Sequence, residues 1–225
     1  GQPLVHDPVM IKQDSVYYVF CTGWGISVMS STDLINWKPE KPVFEKAPEW
    51  AVNAVPDFKG HIWAPDITFH NGKYYLFYSV SAFGKNTSCI GLATNSTLHP
   101  EDPAFKWHDH GMIFRSVPGR DLWNAIDPNL AFDEKSTPWL VFGSFWSGIK
   151  LVRLSEDLLS VAEPQEWYTV AKRPRDFKTN DSDPGEGAIE APFIFKKGKY
   201  FYLFVSYDFC CRGVNSNYKI MVGRS

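Results

Sequence analysis

The chain has 225 residues, enough to bury a sizeable core in one domain or two. A formal net charge of −2 gives no electrostatic reason to expect nucleic acid or an acidic membrane surface as partner. The sequence has no apolar run of the roughly 20 residues needed to cross a bilayer as a helix.

Aromatic residues make up 16% of the chain, with nine Trp. Such residues favour strands, and they also supply the usual surfaces for stacking on sugar rings. The N-terminus carries no signal peptide and begins almost on the first motif, so the natural chain is expected to start further upstream. The cysteines Cys21, Cys89, Cys210 and Cys211 match no zinc-ligand spacing. They read as free, largely buried thiols, with a disulfide as the second reading. Adjacent Cys210 and Cys211 are expected to be poor partners for each other. Glycosylation sequons stand at Asn86, Asn95 and Asn180 and matter only in a source that glycosylates.

The first strand group opens at His6-Asp7-Pro8 and continues through residues 16–21 and 25–30. A polar turn, Ser31 to Asn36, then leads to Trp37. The second opens at Trp63-Ala64-Pro65-Asp66, turns at Asn71-Gly72-Lys73, and runs through 74–80 and 88–94 towards Trp107. The third opens at Ile126-Asp127-Pro128, turns at Ser136-Thr137-Pro138, and runs through 139–145 and 148–154 towards Trp167. The fourth opens at Ile189-Glu190-Ala191-Pro192, turns at Lys197-Gly198-Lys199, and runs through 200–206 and 218–222. No helical period sustained over three turns competes with these strands.

Units of about four short strands, repeating at this length, predict an all-β fold built as the blades of a β-propeller. A β-sandwich with coincidental spacing is the alternative. In a propeller the acidic strand starts fall around one mouth of the central channel. Asp7, Asp127 and Glu190 recur at nearly one phase, so the repeat can bring them together. The intervals are 59 residues from Asp7 to Asp66, 61 to Asp127 and 63 to Glu190, and only 35 remain to Ser225. The fourth blade is therefore expected to end near its third strand. A ring of five such units needs about 300 residues, so a further segment or another polypeptide is expected to complete it.

Five motifs in order carry a resemblance to the arabinanases of glycoside hydrolase family 43. They are His6-Asp7-Pro8, His61 to Asp66, Trp123 to Pro128, Gly143 to Gly148 and Glu186 to Pro192. The tail Asp208 to Gly213, with Tyr218-Lys219-Ile220, is also similar. The resemblance covers the whole chain and implies a five-bladed propeller of which about four blades are present. It implies one catalytic domain over residues 1–225, incomplete at its C-terminal end. It assigns Asp7 as general base, Glu190 as general acid, and Asp127 as the residue that orients the acid and tunes its pKa. Related enzymes also hold a calcium or sodium ion in the channel, through water and a His of the last blade. That blade lies outside this chain, and no protein metal ligand or required cofactor is assigned here.

The chemistry suits the residues. Glycoside hydrolysis needs an acid for the leaving oxygen and a base or nucleophile on the opposite face. Ile189, Ala191 and Pro192 give Glu190 an apolar setting, and burial with Asp127 nearby would raise its pKa. Asp66 lies beyond its proline, in a different register, and reads as structural or as a support behind the catalytic acids. Expected sugar contacts are Trp63, Phe83, Asn124, Ala125, Ile126, Ser144, Phe145 and Trp146, with Trp123 a further stacking candidate. Arg212 is a candidate to brace Glu190, and residues 173–186 are expected to loop over the acid.

The expected activity is inverting hydrolysis of α-1,5-linked L-arabinofuranose in arabinan. A β-xylosidase or α-L-arabinofuranosidase of the same family, or a non-catalytic sugar-binding propeller fragment, remain the alternatives. Arabinan or its oligosaccharides are the expected partner, with self-association where strand edges are left open. The expected location is secreted, periplasmic or cell-surface.

Overall fold

A computed structural model describes residues 4–225. Its first sheet contains β1 (Val9–Gln13) and β2 (Val16–Cys21). The short β3 (Gly23–Trp24) leaves to pair with the neighbouring sheet. β4 (Ser27–Ser31) and β5 (Lys38–Pro39) return to complete the first, in the order β1-β2-β4-β5. A six-residue helix, α1 (Glu49–Ala54), bridges to the second sheet and buries Ala51. That sheet is β3 followed by β6 (His61–His70), β7 (Lys73–Val80), β8 (Ser88–Asn95) and β9 (His108–Ser116). The third is β10 (Asn129–Phe132), β11 (Pro138–Phe142), β12 (Ile149–Arg153) and β13 (Trp167–Ala171). The fourth has three strands, β14 (Ile189–Lys197), β15 (Tyr200–Tyr207) and β16 (Lys219–Arg224). Every pairing is antiparallel. These are the expected four blades, the last ending at its third strand.

The core lies between blades. Side chains of β7 alternate, so Tyr74, Leu76, Tyr78 and Val80 join the cluster shared with the first blade. Tyr75 and Phe77 point the other way, into the cluster shared with the third. β11 repeats the division, with Leu140 and Phe142 facing back and Val141 facing forward. This is why 74–80 reads as one continuous apolar run rather than an alternating one: both of its faces are buried. Trp123 belongs to the same interior. Half-buried, it stacks on Trp167 at 5.1 Å and meets Phe142 edge-on, so its ring packs against the core.

The turn at Asn71-Gly72 has positive φ at both positions, 47° and 78°, as a two-residue hairpin requires. Residues 139–145 do not form one strand. β11 stops at Phe142, and Phe145 and Trp146 take positive φ of 51° and 40°, turning the chain across the top of the blade.

The cysteines also depart from expectation. Cys21 and Cys89 are buried free thiols, but Cys210 and Cys211 form a disulfide with each other. They sit in a tight loop where Asp208 and Cys211 both adopt left-handed backbone, a geometry invisible in the spacing of cysteines. Of the sequons, Asn86 and Asn95 are buried and only Asn180 is exposed.

Candidate active site

Each blade begins with a residue before proline, and in all four that residue takes left-handed backbone. The φ values are 48° at Asp7, 39° at Ala64, 56° at Asp127 and 51° at Ala191. Sterics push pre-proline residues towards extended backbone, so this conformation must be held by neighbours. The Ala64 N–H donates to Thr22 Oγ1 at 2.9 Å, and the Asp127 N–H to Ser79 Oγ at 2.9 Å. The Ala191 N–H donates to Asp127 Oδ2 at 3.0 Å. Thr22 in turn donates its hydroxyl to Asp7 Oδ2 at 2.6 Å.

The register sharpens the phase of the acids. Asp7 and Asp127 occupy the pre-proline position itself, whereas Glu190 stands one residue earlier, matching Trp63, Ile126 and His6. Proline has no N–H for the ladder, and β6 and β14 each carry a register shift there, at Trp63/Asp66 and Glu190/Phe193. His6, Trp63, Ile126 and Glu190 line one cavity of about 280 Å³ together with Asp7 and Asp127. Three carboxyl groups from three blades thus meet, although 183 positions separate the first from the last in sequence.

The electrostatics of the three differ. Burial, then the facing Glu190 and Asp7 carboxylates, push the Asp127 carboxyl well above the usual range, against the Ala191 hydrogen bond. Burial also pushes Glu190 up. The Tyr218 hydroxyl, donating to Glu190 Oε1 at 2.9 Å, pulls the other way; Asp7 adds to the rise and Ser144 opposes it. The coupled pair therefore keeps a proton in a range where an isolated carboxyl would have lost it. Asp7 leaves 34% of its side chain open to solvent.

A second cavity of about 310 Å³ adjoins the first and shares Trp63, Phe83, Ile126 and Glu190 with it. Asn124, Ser144, Phe145 and Trp146 line it as well. Asn124 is buried, and its Oδ1 has no hydrogen-bond partner. Phe83 is 82% exposed and meets Trp63 edge-on at 6.4 Å. Ala125 does not reach the cleft: it is fully buried in the core, its N–H bound to Ser116 Oγ. The 173–186 segment borders the second cavity through Pro184. Trp146 pins it, donating Nε1–H to the Asp181 carbonyl and N–H to that of Pro184. Asp66 is fully enclosed, accepting from Asn129 Nδ2 at 3.1 Å and from the Leu130 N–H at 2.9 Å.

Several contributing residues escaped the sequence reading. Arg173, not Arg212, braces the chain beside Glu190, binding the Ala188 carbonyl at 3.1 Å and Asp208 at 2.5 Å. Arg212 lies over the Phe209 ring, 3.8 Å from its centroid. Tyr218 was noticed only as part of a similar tail. A usable signal was nevertheless present: Phe-x-Ser/Thr closes the second strand of every blade, at Phe20–Thr22, Phe77–Ser79, Phe142–Ser144 and Phe204–Ser206. Thr22 serves Asp7, Ser79 holds Asp127, Ser144 meets Glu190, and Ser206 meets Tyr218.

Among the described residues, no group of three or more His, Cys, Asp or Glu has the arrangement of a metal site.

The geometry has close counterparts. An extracellular exo-α-(1→5)-L-arabinofuranosidase of Cellvibrio japonicus is 52% identical over 221 residues, covering 98% of this chain and 64% of that protein. An extracellular endo-α-(1→5)-L-arabinanase of Bacillus subtilis is 45% identical, over 99% of this chain and 65% of its own length. This chain thus spans less than two thirds of these curated relatives. The solved structure of a Cellvibrio cellulosa α-L-arabinanase complexed with arabinohexaose superimposes with a TM-score of 0.98 at 51% identity. It covers 100% of this chain and 71% of that one. The model of the glycosyl hydrolases family 43 matches residues 2–225. With four propeller blades converging on three acids, and a family match over nearly its whole length, the chain belongs to glycosyl hydrolase family 43.

Proposed function

We propose that this cleft hydrolyses α-1,5-linked L-arabinofuranose in arabinan, with inversion at the anomeric carbon. The observation that carries the reading is the meeting of Asp7, Asp127 and Glu190 in one cavity, with Glu190 held partly buried and its carboxyl pushed up. Both bacterial relatives are named for the α-(1→5) arabinosyl linkage, one for exo action and one for endo. Both are also named extracellular, which supports a secreted protein here.

In the proposed reaction Glu190 gives its proton to the departing glycosidic oxygen as the bond to C1 breaks. Asp7 takes a proton from a water molecule whose oxygen bonds to C1 from the opposite face. Solvent then returns a proton to Glu190 and removes one from Asp7. Asp127 serves without touching the leaving group. Its Oδ2 fixes the backbone at Ala191, hence the position of Glu190, and its own carboxyl, pushed up by burial and by the facing Glu190, shares the pair's proton. Trp63 and Phe83 offer apolar faces to the furanose rings.

The test is hydrolysis of linear arabinan by Asp7→Asn and Glu190→Gln. Each should lower kcat/KM by about 10²–10⁴-fold, the usual contribution of a positioned acid or base. Circular dichroism should stay unchanged. Wild-type rates in either variant would remove that residue from the mechanism.

A further inference from the structure

The Cys210–Cys211 disulfide lies in the cleft itself. Both cysteines line the cavity holding the three acids and the adjoining cavity, and in each they share the lining with Trp63, Phe83 and Glu190. Cys211 is exposed, with its Sγ 4.0 Å from His6 Nε2, and that imidazole is 3.6 Å from Asp7. We propose that this disulfide is a sugar-contacting wall, packing its two sulfurs against the C–H face of an arabinofuranose ring beside the acid. The proposal rests on the arabinan reading above.

Stability does not explain the bond. A disulfide stabilises chiefly by closing a loop in the unfolded chain, and by more for longer loops. This one joins sequence neighbours, so it constrains almost nothing. The loop is also held without it. Asp208 is clasped by Arg173 at 2.5 Å and by Lys219 at 2.6 Å. The Phe209 N–H donates to Asn217 Oδ1 at 3.0 Å, and the Asn217 N–H returns to the Phe209 carbonyl at 3.1 Å. The Arg212 N–H donates to Ser216 Oγ at 3.1 Å.

What the bond does change is the surface shown to a ligand. Two thiols present S–H groups and can turn apart. The oxidised pair presents a fixed, polarisable face with no S–H donor, in a cleft already walled by aromatic rings. Sulfur packs well against apolar and π surfaces, and the C–H face of a furanose is such a surface. The loop is thereby a sulfur counterpart to Trp63 and Phe83.

The experiment is calorimetric titration of a linear α-1,5-arabino-oligosaccharide into the full chain carrying Glu190→Gln, which slows turnover during the titration. The oxidised protein is compared with protein reduced by tris(2-carboxyethyl)phosphine, and with Cys210→Ala/Cys211→Ala. Among the described residues this is the sole disulfide, so the reductant has one target. Reduction and the double substitution should each weaken binding about three- to tenfold, the range a few sulfur contacts supply. The melting temperature should stay nearly constant, and the double variant should ignore the reductant. Unchanged affinity on reduction and on substitution overturns the proposal, as does a loss that merely follows a fall in melting temperature. Two titratable thiols at positions 210 and 211 in the untreated protein refute the pairing itself. If the oxidised protein binds no arabino-oligosaccharide, the arabinan reading fails and the proposal falls with it.

Discussion

The surroundings of the three carboxyl side chains differ residue by residue, and the different work proposed for each follows from that difference. Glu190 is the case in which two opposing influences can be separated. Burial favours its protonated form, and the Tyr218 hydroxyl favours its ionised form. A general acid must carry its proton, so if Glu190 has the proposed role the rate should fall as pH rises through its raised pKa. Tyr218→Phe removes the donor that favours the anion, so that pKa should rise further. The alkaline limb of the kcat/KM profile should therefore move to higher pH. A limb that stays in place, or moves to lower pH, would show that Tyr218 does not tune the acid. The acids were legible in the sequence because each sits in a local motif beside a proline. Tyr218 and Arg173 were not, because Tyr218 reaches Glu190 and Arg173 reaches the Ala188 carbonyl from distant parts of the chain, and no spacing rule registers that.

At the scale of the element, the blades are tied through backbone groups rather than through side chains alone. Asp66 on β6 accepts from Asn129 Nδ2 and the Leu130 N–H on β10. Asn129 Oδ1 in turn accepts the Ile194 N–H on β14 at 2.8 Å. One carboxylate thus joins three blades behind the cleft. Burial pushes the Asp66 carboxyl up to about 6, against its two hydrogen bonds. With the folded pKa above the unfolded one, its stability contribution is full below about 4 and is lost as pH rises through about 6. The difference is worth about 3 kcal/mol. Asp66→Asn does not titrate, and its amide must face at least one of the two donors. Urea unfolding should find the variant less stable at pH 4, with the gap to wild type narrowing by up to about 3 kcal/mol by pH 7. A gap independent of pH would mean that Asp66 does not titrate in this range. That Asp66 is structural could be read from its place beyond Pro65, but its two partners could not, since they lie on another blade.

For the whole molecule, the number and order of blades were legible because the second strand of each blade reads as one unbroken apolar run, buried on both faces in β7 and β11 and half-buried in β2 and β15. The segment 143–147 was not, because its direction is set by the left-handed backbone at Phe145 and Trp146 and by the hydrogen bond from the Phe145 N–H to the Ile189 carbonyl. The fourth blade leaves Phe193, Phe195, Ile220, Met221 and Val222 exposed, and the first leaves Met10 exposed. Open strand edges and apolar faces of this kind pair with other chains. Light scattering of this chain should therefore find a mass above that of the monomer, rising with concentration. A monomer at every concentration would contradict the expected pairing.

The claim on which the rest depends is that Asp7 and Glu190 stand on opposite faces of the sugar and deliver water in a single displacement. Proton NMR of the sugar released in the first seconds of arabinan hydrolysis, before mutarotation, reads this directly. The account predicts the β-anomer from the α-linked substrate. Release of the α-anomer would require a covalent intermediate and would contradict the roles assigned to these two residues.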